Sequence, residues 1–154
     1  MQIKIIKIDA SNYNLVIHLF DQYRIFYKQP SNLVLAIDFI MNRVLKNESV
    51  IFIAQNSLDE PIGFTQLYPI FSSVSASKNW LLNDLYVDSS FRKQGIGEAL
   101  LRKAIAFAKS ENATYVKLET AEDNYTAQSL YEAIGFIKLS LIDGYYSYKF
   151  DINT

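Results

Sequence analysis

The stretch from Leu82 to Gly97 constrains this fold more than any other segment of the chain. It reads as a buried strand ending near Val87, a short polar loop, and two glycines, Gly95 and Gly97, opening an amphipathic helix. Arg92, Gln94, Gly95 and Gly97 fall where backbone N–H groups point outward at the start of that helix. First-turn amides have no intrahelical partner, and the helix macrodipole adds partial positive charge there. Glycines let an anion reach those amides without meeting a Cβ. The first inference is a diphosphate-bearing ligand; the plainer alternative is a tight strand-to-helix turn.

Three glycine patterns compete for this segment. A Walker A loop needs Gly-x-x-x-x-Gly-Lys-Ser/Thr, and no such string occurs. The dinucleotide fingerprint would place its third glycine at Leu100, a large apolar residue on the helix's inner side, where close strand–helix approach fails. The third pattern is Arg/Gln-x-x-Gly-x-Gly/Ala, and Arg92, Gly95 and Gly97 match it. Downstream, Asn124, Ala127, Leu130, Tyr131, Gly135 and Phe136 match Asn-x-x-Ala-x-x-Leu-Tyr-x-x-x-Gly-Phe. The two motifs, in this order and separated by a helix and a strand, resemble the GNAT superfamily of acetyl-CoA-dependent N-acyltransferases. The resemblance covers Asn83 to Phe136 closely and the N-terminal third only in layout.

Composition agrees with one domain over residues 1–154, half of them hydrophobic and so able to fill a core. Formal net charge is −1 and no basic stripe appears, which argues against a nucleic-acid partner. The absence of cysteine removes thiol nucleophiles, disulfides and cysteine metal sites together. His18 stands alone on a helix with no second ligand nearby, so no metal is expected. The first residues lack a signal-peptide pattern and no apolar run is long enough to span a bilayer. A cytoplasmic protein without a membrane partner is the expectation.

Periodicity predicts strands over 2–8, 50–54, 62–71, 80–87 and 115–120, and a closing hairpin over 136–150 turned by Asp143 and Gly144. Ser11 or Asn12 caps a first helix reaching Lys28; Pro30 ends it, and Ser31 caps a second helix to Lys46. Further helices run from Gly95 to Lys109 and from Tyr125 to Ile134, the latter stopped by Gly135. This order fits an α/β fold with a mixed sheet flanked by helices. It is also the GNAT layout, which implies a mostly antiparallel sheet with a splayed parallel pair.

By the same resemblance, acetyl-CoA is the acyl donor. Its pantetheine arm pairs like an added strand with Leu85, Tyr86 and Val87. Its diphosphate takes the amides of Gln94, Gly95, Ile96 and Gly97, with charge from Arg92 or Lys93. Asn124, Ala127 and Tyr131 follow i, i+3, i+7 spacing and share a helix face that meets the arm in the family, where the tyrosine hydroxyl approaches the thioester sulfur. Tyr131 is therefore the candidate acid; the alternative is a core tyrosine with a satisfied hydroxyl.

An acceptor amine, with a reference pKa of about 10.4, must lose a proton before it attacks. Glu119 is the preferred base, because N-terminal acetyltransferases of this superfamily carry a basic glutamate at the matching position. Its alternative role is a strand-end carboxylate paired with Lys117, on the same face. Asp84 is the second candidate, although other members carry acids on the face that simple alternation here gives to Leu81, Asn83 and Leu85; a water-relayed base stays open. Tyr145, Tyr146 and Tyr148, and Tyr23, Phe26 and Tyr27 near the first helix's end, are candidates for an acceptor pocket or for packing.

The leading expectation is acetyl transfer to a primary amine of a small molecule or of a peptide or protein. The other class kept open is a non-catalytic acyl-CoA-binding or sensing domain, against which the joint presence of Tyr131 and Glu119 argues. Many relatives are dimers, and the apolar C-terminal hairpin is the expected homodimer contact.

Overall fold

Seven strands make one sheet in the order β1-β2-β3-β4-β5-β7-β6. The computed structural model describes residues 2–152. The strands are β1 (Lys4–Lys7), β2 (Val50–Gln55), β3 (Pro61–Ser72), β4 (Ser77–Val87), β5 (Tyr115–Ala121), β6 (Ile137–Ile142) and β7 (Tyr145–Asp151). The helices are α1 (Ile17–Phe26), α2 (Leu33–Leu45), α3 (Ile96–Ser110) and α4 (Tyr125–Ile134). Every pairing is antiparallel except β4–β5, so the mixed sheet has the expected architecture.

Helices cover both faces. Val50, Phe52, Trp80, Leu82, Val116 and Leu118 point to α3 and α4, where Leu100, Leu101, Ala104 and Tyr131 complete one core. Ile51, Ile53 and Phe64 point the other way, to Ile17, Phe20, Ala36 and Ile40 of α1 and α2. With apolar burial stabilising by roughly 25 cal/mol per Å², these two cores hold the sheet rigid between them.

The N-terminal helices depart from expectation in their ends. The chain first makes a short 3-10 turn at Tyr13–Val16, and α1 runs only from Ile17 to Phe26. Asn12, instead of capping a helix, accepts from the Asp9 amide at 2.7 Å. Asn32, not Ser31, caps α2, its side chain accepting from the Leu35 amide at 3.0 Å. Ser31 instead donates to Asp21 at 2.7 Å, and the Asn32 amide donates to the same buried carboxylate at 2.9 Å. Asp21 thereby pins the corner between α1 and α2.

One β-bulge matters for function. Gln66 faces Asp84 and Leu67 faces Leu82, which leaves Asn83 as an extra residue on β4. A bulge shifts the alternation by one. Leu82, Leu85 and Val87 therefore pack towards α3, whereas Asp84 and Tyr86 turn towards α1. Simple alternation, which grouped Leu85 with Leu81, is corrected here: the bulge moves Asp84 onto the α1 face. Asp143 and Gly144 turn the last hairpin with φ of 52° and 80°, the left-handed pair that a tight β-turn of this kind needs. Among the described residues, no helix is long and apolar enough to cross a membrane.

Candidate active site

β4 and β5 pair only at Trp80–Val116 and Leu81–Lys117. Beyond Leu81 the two strands diverge, and a cleft of about 910 Å³ opens between them. Its walls come from both faces of the sheet. α3, α4 and their loops contribute Gly95, Gly97, Ala127 and Tyr131, and the opposite face contributes Tyr23, Tyr27 and Glu119. Leu85, Tyr86 and Val87 lie along it, with no β5 partner for their backbone groups on that side. A splayed parallel pair is thus an open sheet edge of the kind that takes an extended ligand by main-chain hydrogen bonds.

At one end of the cleft the loop after β4 turns into α3. Lys93 has φ of 62° and Gly95 has φ of 80° as the residue that precedes the helix. The first helical hydrogen bond runs from the Ala99 amide to the Gly95 carbonyl, so the amides that precede Ala99 have no helical partner. Gly95 has no side chain to cap them, and a Cβ built there would meet nothing within 4 Å. Open space above uncapped amides at the start of a 15-residue helix fits an anionic group. Gly97, Ile96 and Lys93 line the cleft, and Gln94 does not.

Arg92 is engaged in a way the sequence did not suggest. Its Nε donates to the Val87 carbonyl at 3.0 Å, and its guanidinium lies 5.5 Å from the ring centres of both Phe26 and Tyr86. It brackets the strand end, the loop and the end of α1. Arg92 also lines the cleft.

Tyr131 is 8% exposed, and its ring packs edge-on against Tyr148 at 5.7 Å and tilted against Phe136 at 5.9 Å. Its hydroxyl bonds to no other described residue, unlike that of Tyr148, which donates to Glu132 at 2.9 Å. A fixed ring with a free hydroxyl at a cleft wall differs from a satisfied core tyrosine. Burial, with the Tyr27 hydroxyl second, pushes the Tyr131 phenol up to about 12. Tyr131 therefore carries its proton at neutral pH.

Asn124 is at the N-cap of α4, and its side chain accepts from the Ala127 amide at 3.2 Å. It sits before the helix instead of on the shared face that i, i+3, i+7 spacing gave it, although it still lines the cleft.

The two carboxylates differ sharply. Glu119 is exposed at the cleft wall and, among the described residues, forms no ion pair with Lys117 or any other cation. Asp84 is 3% exposed and lies behind the cleft wall. Gln66 Nε2 donates to it at 2.5 Å and Asn83 Nδ2 at 2.8 Å, and Tyr23 is its neighbour on α1. Burial raises the Asp84 carboxyl above the ordinary carboxylate range, against the pull of those hydrogen bonds. Sequence patterning does not single out Gln66; its signal is the polar pair Thr65–Gln66 in the middle of a mostly apolar strand.

The C-terminal tyrosines divide. Tyr145 lines the cleft, Tyr148 is fully buried in the α3–α4 core, and Tyr146 packs at that core's edge with Lys138 over its ring at 4.2 Å. Tyr23, Phe26 and Tyr27 all line the cleft. His18 is exposed, and among the described residues no group of three acidic, histidine or cysteine side chains is placed to hold a metal ion.

A mixed sheet split at one parallel pair, with an amide cradle at one end of the split and a free phenol in its wall, defines an acyltransferase-like class of fold and site. Comparison with known proteins fixes the family. The sequence profile of the acetyltransferase (GNAT) family matches residues 13–136, and the chain belongs to that family. It is 47% identical over 118 residues, 77% of this chain and 78% of the relative, to the uncharacterized N-acetyltransferase YhfO of Bacillus subtilis. It is 32% identical over 133 residues, 86% of this chain and 89% of the relative, to a probable acetyltransferase of Haemophilus influenzae. A crystal structure of a probable acetyltransferase superposes with a TM-score of 0.85 at 36% identity, covering 89% of this chain and 91% of its own.

Proposed function

We propose that this acetyltransferase moves acetyl from acetyl-CoA directly to a primary amine of a small molecule or peptide. One observation carries the reading: a single cleft joins the free amides before α3, the unpaired edge of β4 and the free hydroxyl of Tyr131. The amides of Gln94, Gly95, Ile96 and Gly97 would hold the diphosphate, with Arg92 and Lys93 adding charge. Leu85, Tyr86 and Val87 would bond the pantetheine arm through their backbone, with Asn124 and Ala127 flanking it. Bound there, acetyl-CoA supplies the activated acyl group.

Tyr131 is proposed as the acid that protonates the departing sulfur. Its phenol is buried, protonated at neutral pH and unpartnered among the described residues. Glu119 and Asp84 are the carboxylates available to the acceptor side. Both face away from α3, so the donor enters from one side of the sheet and the amine from the other. A homodimer through the β6–β7 hairpin belongs to the same reading. β6 is an edge strand with all six residues exposed, Ile137, Leu139, Leu141 and Ile142 among them. A monomeric mass at micromolar concentration ends that part alone.

The experiment is calorimetry with acetyl-CoA, followed by measurement of free CoA in the presence of a broad panel of primary amines. Binding with amine-dependent CoA release is the expected result. Binding with no turnover across the panel makes the chain an acyl-CoA sensor. No binding by folded protein ends the reading.

A further inference from the structure

Ser49, Gln66 and Asp84 form a hydrogen-bonded chain inside an otherwise apolar layer, with Tyr23 of α1 beside its end. Ser49 donates to Gln66 Oε1 at 2.7 Å, and Gln66 donates to Asp84 at 2.5 Å. Asn83, the bulged residue, donates to the other Asp84 oxygen at 2.8 Å. Tyr23 packs from α1 onto Phe64 and Tyr86, the cross-strand pair next to Gln66 and Asp84 on the same face, and it lines the cleft, whereas Asp84 does not. The chain therefore leads from the interior to the cleft and opens through the Tyr23 phenol.

Burying a carboxylate this deeply is costly, and the bulge in β4 is what puts it there. The Tyr23 ring cannot drift. It packs edge-on to Tyr27 at 5.0 Å, to Phe64 at 5.6 Å and to Tyr86 at 6.1 Å. A fixed phenol, backed by a carboxylate held from two further sides, is a proton path with one entrance.

We propose that Tyr23 takes the proton from the acceptor ammonium while passing its own to Asp84. The inference rests on the amine reading above and names the residue that prepares the nucleophile. One N–H bond of the ammonium breaks as an O–H bond forms on Tyr23. The original Tyr23 O–H bond breaks as one forms on Asp84. Tyrosine is neutral before and after, and the ammonium and carboxylate charges cancel. The freed nitrogen lone pair then attacks the thioester carbonyl; the C–N bond forms as the C–S bond breaks, the departing sulfur takes the Tyr131 proton, and the second proton shed by the nitrogen restores that phenol. Nothing is oxidised or reduced, and Asp84 returns its proton by the same path once product has left. The low-polarity surroundings favour this direction, since they favour two neutral groups over two charged ones. Tyr23 is thus a catalytic residue, and Asp84 acts through it.

Other titratable groups face this pair from each neighbouring element. Tyr27 at the C-terminal end of α1 and Tyr68 on β3 feel the Asp84 charge, and Arg43 of α2 bears on Tyr68. Glu119 of β5 and Tyr145 of β7 edge the cleft. Glu119 is exposed, and its place in this scheme is to attract the ammonium.

The test is the pH profile of kcat/KM for the best amine of the panel, using wild type, Tyr23→Phe, Asp84→Asn and the double variant. Tyr23→Phe keeps the packed ring, so melting temperature and acetyl-CoA affinity should stay near wild type. Its kcat at neutral pH should fall at least about tenfold, within the usual range for losing a proton-transfer group. Its activity should now climb with pH towards the amine's own pKa, about 10.4 for an alkylamine. The double variant should lose no more than either single one. A Tyr23→Phe enzyme with wild-type kcat and pH profile overturns the inference and leaves acetyl transfer intact. So do losses that multiply in the double variant. Wild type that binds acetyl-CoA and acetylates no amine ends the amine reading and this one together. Where Asp84→Asn fails to fold, Tyr23→Phe decides alone.

Discussion

Arg92 Nε lies 3.0 Å from the Val87 carbonyl, which fastens the cation of the glycine loop to the end of the strand that precedes it. The same guanidinium rests on Phe26 and Tyr86. Lysine has neither the planar group for stacking nor a donor in the same place. Arg92→Lys and Arg92→Ala should each weaken acetyl-CoA binding by about tenfold, the worth of one charge-assisted contact. Arg92→Ala should also raise the KM of the amine, because the end of α1 loses its bracket. Calorimetry and acceptor kinetics separate the two effects.

Gly95 and Gly97 should respond to alanine with opposite signs. At Gly95 the φ of 80° strains any L side chain, by about 1 kcal/mol, so Gly95→Ala should lower stability and donor affinity together. Gly97 is inside α3, and a Cβ there would meet Leu130 at 3.7 Å, an ordinary contact. Gly97→Ala should raise stability by up to about 1 kcal/mol through helix propensity. Thermal melts with and without CoA check both.

Two tyrosine hydroxyls in contact rings should also behave differently. Tyr131→Phe removes a hydroxyl with no bond to another described residue. It should leave stability and acetyl-CoA affinity unchanged while lowering kcat by tenfold or more, on the order expected for losing an acid. Tyr148→Phe removes the bond to Glu132, so it should cost about 1 kcal/mol of stability and little activity. Unaltered kcat in Tyr131→Phe, at saturating substrate, removes that residue from the chemistry.

Glu119 and Asp84 are distinguished by which kinetic constant moves. Glu119→Gln leaves the buried chain untouched and should raise the amine KM with little change in kcat. Asp84→Asn should lower kcat. The reverse pattern would make Glu119 the base.

Asp21 and Asp84 should give stability opposite pH trends. Hydrogen bonding from Ser31 and Asn32 lowers the Asp21 carboxyl below its ordinary value. Its contribution is present above the unfolded carboxylate range and is lost as pH falls through the folded value. Burial raises Asp84, so the folded state holds that proton more tightly than the unfolded chain. Its contribution is greatest in acid and fades as pH rises through the raised value. Denaturant melts across pH should show Asp84→Asn flattening the second trend, and Asp21→Asn weakening the first.

What the sequence determined by itself is local. Gly95 and Gly97 after an apolar strand announce a turn and an open helix start, and a helical spacing brings Ala127 and Tyr131 to one wall. These features depend on backbone preference and side-chain period, which a linear string displays. The tertiary structure decided the rest. A bulge moved Asp84 to the α1 face, because one added residue inverts alternation and only the register with β3 reveals it. Packing buried Tyr148 and left Tyr145 and Tyr131 at the cleft, although the tyrosines look alike in sequence. The divergence of β4 from β5 beyond Leu81 made the cleft itself. Pairing between strands distant in the chain sets where such a gap opens, and no local pattern carries that information.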